Sequence, residues 1–194
     1  MKKTTISCVM ALLCLNFSLY AQEPKPLQLG QKIHEAIYKQ KFPVLGSQPG
    51  GADSVSLSQF QGKLLLLDFW AAWCSNCIHK FPLLEELQQA YPDQFKVLLV
   101  NAKTSKDSPE RMLGILSGKK APFIKTNLQS IYNDQLLDKL FPHAYLPHYA
   151  WIGGKGQVLA ISGADLLNKE TVEGLIKTTI QKNQKAQAEL PKKP

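Results

Sequence analysis

The chain has 194 residues, 44% of them hydrophobic, and carries 23 basic against 15 acidic side chains for a formal net charge of +8. That is one domain's worth of chain with enough apolar material for a good core. The lysines are scattered, with a cluster only at Lys182, Lys185, Lys192 and Lys193, so the charge reads as solvated surface and no nucleic-acid partner is expected.

Met1-Lys2-Lys3 is a short basic start, Ile6 to Leu19 is mostly apolar, and Ala21 precedes the polar Gln22-Glu23-Pro24. That order predicts a signal peptide over 1–21, cleaved after Ala21. The apolar run of about 14 residues is short of the roughly 18 a membrane-spanning helix needs. Cys14 follows Leu12-Leu13 rather than a small residue, and Cys8 comes too early, so lipidation is not expected. Cleavage leaves 173 residues, a net charge of +6, and two of the four cysteines, Cys74 and Cys77. Two cysteines three apart enclose too short a loop to staple a fold. The pair is there for its reactivity.

From 22 to 54 the chain reads as an N-terminal extension, with a helical turn over Ile33–Tyr38, an edge strand over Phe42–Leu45 and turn chemistry over 47–51. Residues 55–182 read as the main domain. Val55 to Phe60 alternates loosely, and Leu64 to Phe69 is a continuous apolar run, a central strand buried on both faces. Ile78, Phe81, Leu84, Leu87 and Tyr91 lie at helical spacing, predicting a helix over Cys77–Tyr91 that Pro82 should kink. Phe95–Val100 is a second buried strand, so strand–helix–strand with a parallel pair is the local grammar. Pro109–Leu116 and Tyr132–Phe141 are further predicted helices, with an extended piece around Ala121–Ile124. Tyr149–Ile152 and Gln157–Ser162 flank a glycine-rich turn as a hairpin, and Thr171–Ile180 is an amphipathic closing helix. Residues 183–194 read as a polar flexible tail.

Cys74-Ser75-Asn76-Cys77 sits where a buried strand gives way to a helix. Unpaired N–H groups at a helix N-terminus favour a thiolate on Cys74. It would attack a partner disulfide, and Cys77, one turn on, would resolve the mixed disulfide. Cys74 should be the exposed nucleophile and Cys77 the more buried partner. A zinc site needs four ligands, and none of His34, His79, His143 and His148 is at finger spacing. A covalent haem site needs histidine directly after the second cysteine, where Ile78 stands. No metal or cofactor is expected.

Asp68-Phe69-Trp70-Ala71-Ala72-Trp73-Cys74-Ser75-Asn76-Cys77, preceded by Gly62-Lys63 and followed by Phe81-Pro82-Leu83-Leu84, resembles the active-site segment of thioredoxin-like proteins. It is most similar to the exported TlpA/ResA-type thiol–disulfide reductases. Leu146-Pro147-His148 resembles the family's second landmark, and the hairpin Trp151 to Val158 its closing strands. The likeness spans roughly 55–180. It implies an α/β, three-layer thioredoxin-like fold, a central mixed β-sheet flanked by helices, with an inserted helical segment over 102–146 before a cis proline.

The resemblance also implies that Pro147 is cis beside the cysteines, leaving the backbone of Leu146 to pair with an extended peptide. Trp73 shapes the surface around Cys74, and Trp70 does so too or belongs to the core. Asp68, if buried at its strand end, should have a raised pKa and accept the proton of Cys77, although many exported relatives have a neutral residue there. His79 and His148 are weaker candidates for biasing the thiolate. The implied function is reduction of disulfides in extracytoplasmic, periplasmic proteins by a monomer fed by a membrane dithiol carrier, with cytochrome c maturation components among possible partners. A disulfide-forming oxidase or isomerase, a redox-coupled metal chaperone using both thiolates and a histidine, and a binding module with vestigial thiols stay open. Ser75-Asn76 does not place the protein within the roughly −270 to −120 mV that CxxC proteins span.

Overall fold

The computed structural model describes residues 23–46, 53–120 and 122–188. The expected signal peptide over 1–21 with Cys8 and Cys14, the turn over 47–51, Ala121, and the end of the tail over 189–194 lie outside the described residues.

The run of five apolar residues interrupted by Asp68 and predicted as a central strand is one. Strand β3 (Leu64–Phe69) is buried at all six positions. It pairs in parallel with β4 (Phe95–Ala102) and antiparallel with β6 (His148–Ile152). Strands β1 (Lys41–Leu45), β2 (Ser54–Ser56), β5 (Ser130–Asp134) and β7 (Val158–Ser162) complete a seven-stranded mixed sheet in the order β2-β1-β5-β4-β3-β6-β7. Strand alternation divides the core into two clusters. Leu64 and Leu66 pack with α3 (Phe81–Ala90), α4 (Pro109–Leu116) and α6 (Lys169–Ala188) through Leu84, Leu87, Met112, Ile115, Val172 and Ile176. Leu65, Leu67 and Phe69 pack on the other face with Phe42, Val44, Leu57 and the residues of α5 (Leu136–Leu140). Helices thus lie on both sides of one mixed sheet, and the fold is thioredoxin-like.

Several expectations need correction. The predicted helix over Cys77–Tyr91 is two helices, a single turn α2 (Ser75–Ile78) and then α3, parted at His79-Lys80. Pro82 sits in the first turn of α3, where its missing N–H does not interrupt a ladder; the expected kink is a break. The helix predicted over Tyr132–Phe141 begins as strand β5, which pairs with β4 and β1. Asn133 takes a left-handed φ of 55°, and the Asp134 carboxylate accepts from Leu136 N (3.3 Å) and Asp138 N (2.9 Å) to start α5. Strand β1 is no edge strand but lies between β2 and β5. A short α1 (Glu35–Lys39) precedes it. Val55–Phe60 splits into the end of β2 and a 3-10 turn (Leu57–Phe60) closed by a Ser56/Gln59 capping box. Helix α6 runs on to Ala188, into the stretch expected to be a flexible tail.

One glycine contact ties the hairpin turn to the start of β3. Gly62 N donates to Gly154 O (2.8 Å), and a Cβ on Gly154 would lie 2.8 Å from Gly62 C. Only glycine lets these backbones meet.

Candidate functional site

Cys74 and Cys77 form a disulfide with Cα atoms 5.4 Å apart. Cys74 is the N-cap of α2, and the Cys77 N–H donates to Cys74 Sγ at 3.2 Å. That amide, shared with the Cys74 carbonyl at 3.1 Å, is thus also aimed at the sulfur expected to attack. Because α2 is one turn long, this local N–H, rather than a long helix dipole, is what the sulfur meets. Cys74 is the more exposed of the pair as expected, but only at 6% against 0%. Trp73 beside it is 59% exposed, whereas Trp70 is wholly buried, its Nε1 donating to Ser130 Oγ (2.9 Å) and its ring edge-on to Phe81. Trp70 is core.

The loop into Cys74 is held by residues that sequence reasoning missed. The Asp107 carboxylate is fully buried and accepts from Ala72 N (2.7 Å) and Asn101 Nδ2 (2.9 Å), while Asn101 Nδ2 also reaches the Trp70 carbonyl (3.2 Å). Arg111, one turn into α4, lies 3.7 Å from the other Asp107 oxygen. This clamp fixes both ends of Trp70–Ala72 and so the position of Cys74. The one available signal was the acid set just before Ser108-Pro109, the start of a helix; its partner 35 residues away was not.

Asp68 is completely buried, and burial pushes its carboxyl well above the ordinary range. It sits opposite Tyr149 in the β3–β6 register, on the face that carries Leu64, Leu66 and the cysteine pair. Burial, and then the field of Asp68, push the Tyr149 phenol far up in turn.

The Leu146–Pro147 peptide bond is cis, where the resemblance placed it. Trp73, Thr104, Ser105, His143, Ala144, Tyr145 and Leu146 line one cleft of about 300 Å³. Two of the expected binding residues, Trp73 and Leu146, are therefore brought together there, with Pro147 next in the chain. Of the weaker candidates, His79 is exposed against Phe123, with ring centroids 6.0 Å apart. His148 lies on the far face of β3, stacked on His143 (4.7 Å) and against Phe69 (5.5 Å). Burial, then the neighbouring His143, lower its pKa to about 4. Among the described residues no group of three or more His, Cys, Asp or Glu side chains is placed to hold a metal ion.

Residues 54–115 match the thioredoxin family model. Among characterised proteins, the chain is 33% identical over 73 residues to the thioredoxin-like protein YneN of Bacillus subtilis, 38% of this chain and 43% of that one. It is 38% identical over 56 residues to the thiol-disulfide oxidoreductase ResA of Geobacillus kaustophilus, 28% of this chain and 32% of that one. These matches span less than half the length of either relative. A structure of a putative thiol:disulfide interchange protein DsbE from Chlorobium tepidum aligns with TM-score 0.60 and 25% identity, over 79% of this chain and 99% of the other. The exposed lipoprotein thioredoxin Etrx1 of Streptococcus pneumoniae shares the fold at TM-score 0.58 and 23% identity, over 72% of this chain and 99% of its own.

Proposed function

Because the chain belongs to the thioredoxin-like family, we propose that it is a thiol–disulfide oxidoreductase that reduces disulfides of extracytoplasmic partner proteins. One observation carries the reading: Cys74 and Cys77 are already joined at a strand-to-helix junction, with the Cys77 N–H on Cys74 Sγ. In the reduced protein the Cys74 thiolate attacks a partner disulfide and expels one partner sulfur. Cys77 then gives up its proton, with Asp68 as acceptor, and its sulfur displaces the second partner sulfur from Cys74. Two electrons pass to the partner, and the Cys74–Cys77 bond is restored. The partner's backbone lies extended beside Leu146 and Pro147, with Trp73 walling the cleft. A membrane dithiol carrier returns the electrons, and the pattern over 1–21 supports delivery outside the cytoplasm.

Trapping tests this directly. With Cys77→Ala, Cys74 is expected to accumulate mixed disulfides that reductant releases and that Cys74→Ala/Cys77→Ala lacks. If nothing is trapped and the single variant behaves like the double one, the mechanism is wrong. Equilibration with glutathione tests direction. A potential near −230 mV or lower supports a reductase, and one near −120 mV makes the protein an oxidase.

A further inference from the structure

Asp107 brings a negative charge to the loop before Cys74, and hydrogen bonding alone does not require one. Its side chain is fully buried. One carboxylate oxygen accepts from Ala72 N (2.7 Å) and Asn101 Nδ2 (2.9 Å). The other has no hydrogen-bond partner among the described residues. Arg111 lies 3.7 Å from it, too far for a hydrogen bond, and is itself 45% exposed. A neutral asparagine would accept the same two N–H bonds without the cost of burying a charge that is only partly compensated. The charge also lies close to the attacking sulfur. Cys74 N donates to Ala71 O at 2.9 Å, closing a tight turn over Ala71–Cys74. A carboxylate bonded to Ala72 N is therefore within about 10 Å of Cys74 Sγ.

We propose that the buried charge of Asp107 biases electron flow toward reduction of partners, by disfavouring the Cys74 thiolate and so making the dithiol a stronger reductant. This rests on the oxidoreductase reading above and gives it a direction. Asp107 is bonded to neither sulfur; it is a positioning residue that acts through the loop it holds and the field it places on Cys74. Reduction adds two electrons to the Cys74–Cys77 bond and breaks it. The Cys77 sulfur takes up a proton, and Cys74 keeps the negative charge or takes a second proton. The disulfide has no net charge for Asp107 to repel, whereas the thiolate does. Asp107 therefore raises the free energy of the reduced form alone, and its electrons pass more readily to a partner disulfide. The Cys77 N–H, 3.2 Å from Cys74 Sγ, pulls the other way by favouring the thiolate. Of the two buried acids near this turn, Asp68 has no hydrogen-bond partner among the described residues, and burial pushes its carboxyl well above the ordinary range. Asp107 has two N–H donors and a guanidinium beside it, the surroundings in which buried charge is found. The remaining charged or titratable neighbours, Lys103, Lys106 and Glu110 in the chain around Asp107 and His79 at the end of α2, are exposed, and Lys80 is partly so; water screens them more.

The test follows alkylation of Cys74 by iodoacetamide across pH in the fully reduced protein, with the labelled cysteine identified by mass. A unit charge about 10 Å away at an effective dielectric of about 20 changes proton binding on the order of tenfold. Asp107→Asn should therefore lower the Cys74 midpoint by about one pH unit. Above that midpoint it should shift the equilibrium with glutathione about tenfold toward the dithiol, or ~30 mV. Arg111→Gln removes the compensating charge and should move both readings the opposite way, by about twofold to threefold because the guanidinium is half in solvent. A purely structural clamp predicts otherwise, since both variants loosen the same loop and would move Cys74 in the same direction. An Asp107→Asn midpoint that does not fall, or an Arg111→Gln midpoint that does not rise, overturns the proposal. Midpoints that move while the glutathione equilibrium stays put overturn it as well. If Asp107→Asn does not fold, Arg111→Gln decides alone. Failure of the unaltered protein to exchange with glutathione overturns the oxidoreductase reading instead, and is recognised because the alkylation midpoints do not depend on exchange.

Discussion

Two neighbouring residues at the end of β3 look into opposite faces of the sheet and meet opposite problems. Asp68 opposes Tyr149 and faces the cysteine cluster; Phe69 opposes His148 and faces a stack of His143, His148 and Phe141. Both faces bury a titratable group whose charged form burial disfavours, an acid pushed up on one side and an imidazole pushed down on the other. The far face satisfies its imidazoles partly, with His143 Nδ1 at 3.0 Å from the Phe141 carbonyl and 3.9 Å from Asp138, while His148 Nε2 has no partner among the described residues. Among the described residues, the acid and phenol of the cysteine face find no hydrogen-bond partner. One face is organised around packed rings, while the other buries an acid beside the cysteines.

The largest expected effect breaks the packing side. Phe69→Ala removes the ring against which His143, His148 and Phe141 all lie, and should destabilise the protein by about 3–5 kcal/mol in denaturant unfolding. A loss below about 1 kcal/mol would show that the stack contributes little.

A second, smaller set of effects sharpens the contrast through pH. Between about pH 4 and 6.5 the unfolded chain binds a proton at residue 148 that the folded chain does not, so this site's stability is present above pH 6.5 and lost as pH falls. His148→Gln should recover roughly 1–2 kcal/mol at pH 4.5, the worth of such a shift discounted for partial solvent contact, and little at pH 8. Asp68 runs the other way. Its folded carboxyl keeps its proton where the unfolded one has lost it, so stability falls as pH rises past the ordinary aspartate range. Asp68→Leu should therefore stabilise the protein at pH 7 by about 1–3 kcal/mol, the scale of an unmade buried hydrogen bond, while slowing resolution of the mixed disulfide. Parallel pH–stability curves for the two variants would contradict the comparison.

How much of this was legible in the sequence follows the range of each interaction. β3 and α4 were readable to the residue, because a run of five apolar residues around Asp68 and a Ser-Pro helix start are local signals. The cysteine pair at its junction followed from the residues themselves, and the cis bond at Pro147 from the resemblance. What was missed depends on residues far apart in sequence. Tyr132 fits a helical stripe with Leu136 and Leu140, and joins a strand only because β4 and β1 lie ready on either side of it. Asp107 looks like a loop residue until Ala72 and Asn101 come within hydrogen-bond reach. Tyr149 looks like an ordinary strand aromatic until the register sets it opposite Asp68. The sequence left the burial of Asp68 conditional, and the unpartnered phenol opposite it needed the sheet.

The smallest expected effect on stability concerns the place where the two faces communicate. Leu146 packs against both core clusters and lines the cleft with Trp73, Tyr145 and His143. A partner seated there touches the end of each face at once. Trp73 and Tyr145 are 59% and 86% exposed, so Trp73→Ala and Tyr145→Ala should change unfolding stability by no more than about 0.5 kcal/mol each. If these rings hold a partner chain beside Cys74, KM for a peptide disulfide should rise severalfold with kcat nearly unchanged, the sign of lost uniform binding. A fall in kcat at constant KM would mean that Trp73 acts on the Cys74 chemistry itself, and the cleft would then belong to the cysteine face alone.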